Sequence, residues 1–344
     1  YILQNSGKTI DVPAKIKDAD IIIANCLIEE FREYIYSQVD FTRTKVYVLS
    51  ALRLKGKYPV IDSAEVAKYR LCRNPENFRN MIYYIINKEC DSSVKYEKPL
   101  KLPDVGICHV ATEEIFPDLE SFLKWYKASG KYRSTEPLVA VTIYAATFTE
   151  DEMQSLRPLV NALEQANLNV FIAFGDEPEL IKKVMLDDKG MAMVDVILGL
   201  SFKFKSGLRK ELIEALEKLG VPVINGLKLS RQYTHEWQES AKGMNDFSVS
   251  FTLIAPEMSG LIEPSLLFGK SKKLDPDTNR EYYVSEPFEE NIRNIAARIR
   301  KWAMLRRKSN SDKRIAIIIY NHEGGKQGIG ASYMNVPRSL SSII

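Results

Sequence analysis

His109, His235 and His322 are the three histidines of this 344-residue chain, so each imidazole is weighed as a ligand or a base. His109 lies between the apolar segment 105–108 and an acidic helix start at Glu113 and Glu114. An exposed imidazole there can ligate a metal through its neutral nitrogen; a histidine that caps the local backbone is an equally good reading. His322 follows a buried apolar run at the carboxyl end of a would-be strand, a better place for a metal ligand, although most loop histidines have no such duty. His235 precedes Trp237 at a helix start and reads as packing on a ring. Glu257 and Glu263 flank a stiff loop containing Pro256, Gly260 and Pro264. Two carboxylates so placed can move protons or hold a cation, and solvated loop acids are the plainer and favoured alternative. The basic runs 203–205 and 270–273 suit substrate carboxylates, or are simply solvated faces.

Gly324, Gly325, Gly328 and Gly330 crowd residues 321–332 (NHEGGKQGIGAS). No GxxxxGK[ST] or clean GxGxxG is present, and Lys326 comes too early to serve as a phosphate-loop lysine. These glycines read as turning the backbone, and ATP binding by this chain is disfavoured. Cys26, Cys72, Cys90 and Cys108 show no CxxC or CxxH spacing. That argues against structural zinc and suits reduced thiols in a cytoplasmic compartment. A formal charge of +3 demands neither nucleic acid nor membrane. The longest apolar runs, such as 138–146, have strand length and fall short of a span of roughly 20 residues, so no transmembrane segment is expected. No signal peptide shows, and the chain begins without Met, which leaves a leader, and a periplasmic or membrane-associated setting, open.

The elements that must position these groups alternate. Residues 20–24 and 45–49 read as buried strands joined by a helical stretch over 27–39, and 64–87 as one or two further helices, giving an N-terminal α/β domain over 1–90. Residues 91–134 hold a charged linker with Pro99 and Pro103, then an amphipathic helix carrying Leu119, Phe122, Leu123 and Tyr126. A second α/β domain over 135–230 has strands at 138–144, 169–174, 194–200 and 221–225 with helices between. Residues 231–312 form a mixed region: a strand at 248–253, a loop at 256–264, a short strand at 266–269, and a helix over 287–307 striped by Ile292, Ile295, Ala296, Ile299 and Trp302. Residues 314–320 (RIAIIIY) read as a strand opening a further, truncated α/β domain over 313–344, with a helix from 336. The expected class is α/β: successive doubly wound, Rossmann-like parallel-sheet modules with a helical and irregular insertion. The strand, loop and helix start that end the sequence point to a piece of a longer protein.

Taken in order, several segments resemble the large subunit of the cobalt and magnesium chelatases, the CobN and magnesium chelatase H-subunit family. Residues 106–109 followed by 116–126 (FPDLESFLKWY) look like its glycine–aromatic–His–Pro segment and the next helix, with Cys108 and Val110 departing from the pattern. Residues 220–230 (GVPVINGLKLS) with Trp237 resemble its strand, loop and EEW helix. Residues 255–264 (APEMSGLIEP) resemble its PELDG loop, with Ser259 where an acid is usual. Residues 302–308 (WAMLRRK) and 314–340 resemble the helix and glycine loop that follow, whereas the first ninety residues match loosely.

The resemblance implies insertion of a divalent metal, cobalt or magnesium, into a tetrapyrrole, porphyrin or corrin, by a ligase that forms nitrogen–metal bonds. ATP would be hydrolysed by separate AAA+ partner subunits, and this portion alone would be inactive. Relatives linked to haem uptake imply the reverse direction, metal removal. Metallation needs a base for two pyrrole protons and ligands that strip water from the ion. Glu257 and His109 fall on matching motif positions and become the catalytic choices, with His109 and His322 as metal ligands. A two-lobed, non-enzymatic ligand-binding module is the competing class, because layout alone fits either.

Overall fold

The computed structural model describes residues 16–17, 19–25, 29–49, 58–70, 74–145, 150–201, 209–276, 280–319 and 334–343. His322, the glycine-bearing turn and the basic run 203–205 lie outside the described residues. β1 (Ile21–Ala24) and β2 (Lys45–Val48) pair in parallel across α1 (Glu29–Ser37), Ile21 opposite Lys45. A helix-sized connection is what parallel pairing requires. α2 (Ala64–Tyr69) starts at Ser63 and α3 (Pro75–Glu89) at Asn74, each cap accepting an amide from the first turn. Tyr47, Tyr69, Met81 and Ile85 close the small core of this unit. The charged linker that follows is strapped to these helices. Asn77 exchanges hydrogen bonds of 3.0 and 2.8 Å with the Leu100 backbone, and Tyr69 donates to the Glu97 carbonyl at 2.6 Å.

The larger unit is one seven-stranded sheet. Its elements in chain order are β3 (Val105–Cys108), α4 (Leu119–Ala128), β4 (Leu138–Ile143), α5 (Glu150–Gln165), β5 (Asn169–Gly175) and α6 (Glu177–Leu180). There follow β6 (Val196–Gly199), α7 (Arg209–Leu219), β7 (Val223–Lys228), α8 (Thr234–Glu239), β8 (Ile262–Asp275), β9 (Arg280–Pro287) and α9 (Glu289–Arg307). Across the sheet the order is β3-β5-β4-β6-β7-β8-β9. The five middle strands are parallel, while β3 on β5 and β9 on β8 are antiparallel edges. Every residue of β4 and β6 is buried, as strands covered on both faces must be. α5 and α9 cover one face through Leu156, Leu159, Leu163, Ile292, Ile295 and Ile299. α4, α6 and α7 cover the other through Phe122, Tyr126, Leu180 and Leu212. The α/β, doubly wound class is therefore observed.

Several local expectations are corrected. Residues 248–253 are helical, not a strand: Asp246–Ser248 continues as a π-helical stretch, Val249–Ile254, and then Ala255–Glu257. Asn245 caps this segment by accepting the Ser248 amide at 2.9 Å, and the Thr252 hydroxyl donates back to the Ser248 carbonyl at 2.7 Å. Those two side-chain bonds decide an apolar run whose alternation alone reads as β. The short strand expected at 266–269 is the middle of the 14-residue β8, and β9 pairs with it from Phe268–Pro287 out to Asp275–Arg280. Residues 313–319 have no regular structure, and Ile318 is 94% exposed. No described strand pairs with them, and an extended run without a ladder partner is not a strand. The 105–108 segment is an edge strand, too short to be recognised by periodicity.

The WAMLRRK motif acts as a clamp. Arg307 donates to both oxygens of Asp195 at 2.9 Å and to the Thr135 carbonyl at 2.7 Å. Arg300 reaches Glu136 and the Asn167 carbonyl, each at 2.6 Å, and Arg306 reaches the Gly220 carbonyl at 2.6 Å. These bonds fasten the end of α9 across the amino edge of the sheet, with Asp195 holding the Arg307 guanidinium firmly protonated.

Candidate functional site

Ligands of open parallel sheets bind beyond the carboxyl ends of the strands, where the strand order reverses. Here the reversal falls between β4 and β6. A cleft of about 360 Å³ opens there, lined by Tyr144 after β4, Leu200 after β6, Lys228 and Ser230 at the end of β7, Glu152 in the first turn of α5, and Phe247 and Phe251. Asn225 in β7 donates to the Thr252 carbonyl at 2.9 Å, which pins the π-helical segment over the cleft. π-Helical turns recur at functional sites. The β7–β8 register shifts on either side of Gly226 and Leu227, and Gly226 lets the backbone approach Leu200, where a Cβ would come within 2.7 Å of Cδ2. Such irregularities re-aim side chains beside sites.

The chemistry of this cleft is apolar with one ion pair among the described residues. Lys228 pairs with Glu152, and its ammonium lies 4.9 Å over the Phe268 ring. Phe247 and Phe251 stack, with centroids 5.4 Å apart and planes 9° from parallel, and both are 48% exposed. The Arg231 guanidinium lies 3.8 Å above the Phe247 ring. An open lip of stacked aromatic rings offers a platform for a flat conjugated ligand.

His109 sits elsewhere and is closed off. β3 runs antiparallel to β5, so the residue after Cys108 falls toward the amino edge, opposite the cleft. The ring is 0% exposed, packed 5.5 Å from the centroids of Trp125 and Tyr126. Its Nδ1 accepts the Ala111 amide at 3.1 Å, which puts the proton on Nε2. Nε2 lies 3.3 Å from Glu164 Oε1, but no acceptor among the described residues is aligned with its N–H. The contact is thus a loose one between a neutral ring and a carboxylate, not an ion pair. Burial opposes ionisation of Glu164, yet His109 together with hydrogen bonds from Lys131 and Tyr126 outweighs it and holds the carboxyl at about 2. The same burial and the Glu164 charge push the Tyr126 phenol up. The expectation of an exposed His109 is corrected to a buried one in an aromatic cage.

Glu257 is exposed at the end of the helical segment, just before β8. Strands β5, β4, β6 and β7 stand between His109 on β3 and Glu257 beside β8, a separation on the order of 20 Å. The two are not brought together. Glu263 is no free base either. Arg298 grips it through two nitrogens, Nε at 2.6 Å and Nη2 at 2.5 Å, and keeps its carboxyl below the usual range. Its backbone is left-handed at φ 50. His235 stacks on Tyr233 at 5.7 Å rather than on Trp237, which packs on Phe288 at 5.3 Å. Among the described residues no cluster of three or more His, Cys, Asp or Glu side chains is placed to hold a metal. Burial raises the Cys108 thiol, so it is not a ready thiolate ligand. No described helix is long and apolar enough to cross a membrane.

The parallel strands, taken as second, first, third, fourth and fifth in chain order, define a flavodoxin-like doubly wound domain with a cleft at its switch point. The chain belongs to the CobN/Magnesium Chelatase family, whose profile matches residues 67–344. It is 25% identical over 317 residues to the chloroplastic magnesium-chelatase subunit ChlH of Oryza sativa subsp. indica, covering 84% of this chain and 22% of that protein. It is 28% identical over 290 residues to the magnesium-chelatase H protein of Chlorobaculum parvum, covering 81% and 22%. The catalytic subunit of cobaltochelatase from Mycobacterium tuberculosis shares the fold, with a TM-score of 0.54 at 18% identity over 86% of this chain and 24% of that one. The chain therefore spans less than a quarter of the length of these relatives.

Proposed function

We propose that this chain is a tetrapyrrole-binding segment of a metal chelatase large subunit, and that the macrocycle seats one edge in the cleft between β4 and β6. The observation that carries this reading is the switch-point cleft with its stacked Phe247–Phe251 lip. Its apolar lining suits a ring system, and the rest of the macrocycle would lie over the exposed Phe251 face. The role assigned to this segment is to bind and orient the ring. A divalent metal, cobalt or magnesium, is the substrate inserted, with ATP hydrolysed by AAA+ partner subunits, and the protein works in the cytoplasm. The family membership and the magnesium-chelatase and cobaltochelatase names of its relatives support the metal and the reaction in that reading.

Spectral titration of the chain with haem, a metal-free porphyrin and a corrinoid tests the reading. A saturable shift of the main absorption band with at least one of them is expected, weakened about tenfold in Phe251→Ala, as loss of one stacking contact implies. No shift with any of the three would sink it.

A further inference from the structure

Among the described residues, the lip of the cleft carries a cation that the fold does not use. Arg298, Arg300, Arg306 and Arg307 all find carboxylate or carbonyl acceptors within the chain. Lys228 is neutralised by Glu152 on the cleft floor. Arg231 differs: its contact among the described residues is the face of Phe247, 3.8 Å away, and none of its five N–H groups meets an acceptor there. Phe247 rests in turn on Phe251, and both rings line the cleft, so Arg231 is held on a ring that borders it. A guanidinium held on a ring has less freedom to lose on binding, and its fork matches a carboxylate in two-point contact.

We infer that Arg231 reads a carboxylate on the rim of the macrocycle, so that the cleft takes a tetrapyrrole with free acid side chains in preference to one whose acids are amidated. This rests on the macrocycle reading above and adds a substrate class to it. Among the described residues the Lys228–Glu152 pair leaves the cleft floor without net charge. Lys270, whose ammonium donates to the Ser230 carbonyl at 2.8 Å, adds positive potential nearby without presenting a fork.

The test is absorption titration of the full 344-residue chain with a metal-free porphyrin bearing two free propionic acids and with its diamide. Wild type, Arg231→Ala and Arg231→Lys are compared, with circular dichroism confirming that the exposed substitutions leave the fold intact. The diacid should bind wild type about 10- to 100-fold more tightly than the diamide, the scale of a charge-assisted hydrogen-bond pair. Arg231→Ala should lose most of that preference while binding the diamide as before, and Arg231→Lys should keep a part of it. Equal binding of diacid and diamide by wild type overturns the inference and leaves the macrocycle reading standing. A preference that survives in Arg231→Ala also overturns it. If neither porphyrin binds, both fall.

Discussion

Replacing His109 with alanine separates a structural histidine from a metal ligand. The ring is wholly buried against Trp125 and Tyr126, and its Nδ1 satisfies the Ala111 amide. Emptying an aromatic-sized space in a packed core costs about 3–5 kcal/mol before collapse of the cage recovers part of it. The orphaned Ala111 amide adds about 1 kcal/mol. A net loss near 3 kcal/mol corresponds to a fall in Tm of roughly 6–12 °C for a unit of this size. His109→Asn keeps a side-chain acceptor near the Nδ1 position and should recover about 1 kcal/mol of the deficit. Thermal unfolding followed by near-ultraviolet circular dichroism reads these values, with calorimetric metal titration of each variant alongside. A His109→Ala protein whose Tm stays within about 1 °C of wild type, while metal binding disappears, would refute the reasoning, because a buried packing role must show in stability.

Two further outcomes follow from the same geometry. Glu164 has a folded pKa of about 2 against an ordinary 4.5. Its stabilisation is therefore complete above pH 4.5 and lost as pH falls through 2, a displacement worth roughly 3 kcal/mol. Urea midpoints of wild type and Glu164→Gln should differ near neutrality and converge at the acid end, and parallel curves would contradict the assignment. At Glu263, both Glu263→Ala and Glu263→Gly lose the Arg298 pair, but only glycine relieves the left-handed backbone. Chemical denaturation should find the glycine variant more stable by about 1 kcal/mol, and an alanine variant at least as stable would contradict that backbone assignment.

The parts of the fold legible in the sequence are those with a long period or a long apolar run. The stripe of Ile292, Ile295 and Ile299 announces α9, and the runs at 138–143 and 169–174 announce β4 and β5, because each must be buried whatever surrounds it. β3 has four residues and pairs with β5, more than sixty residues further on, whereas β9 is the exposed arm of a hairpin with β8 and shows no buried face to read. The 248–253 run is ambiguous by pattern and is settled by the Asn245 cap, a signal present in the sequence. The cleft is legible only as a general location, the loops after parallel strands. Which loops face one another depends on the crossover order, which no local pattern encodes. Phe247 and Phe251 stand four residues apart, a helical spacing that flags the lip once the segment is read as helix. The resemblance puts His109 and Glu257 together as catalytic choices, but burial and the width of the sheet separate them.

The most direct measurement is a crystal structure of the chain soaked or grown with a metal-free porphyrin diacid. The account predicts density for a ring edge between Tyr144 and Phe251, with a carboxylate within hydrogen-bond distance of Arg231. A macrocycle lodged at the opposite edge of the sheet, opening the aromatic cage around His109, would contradict it.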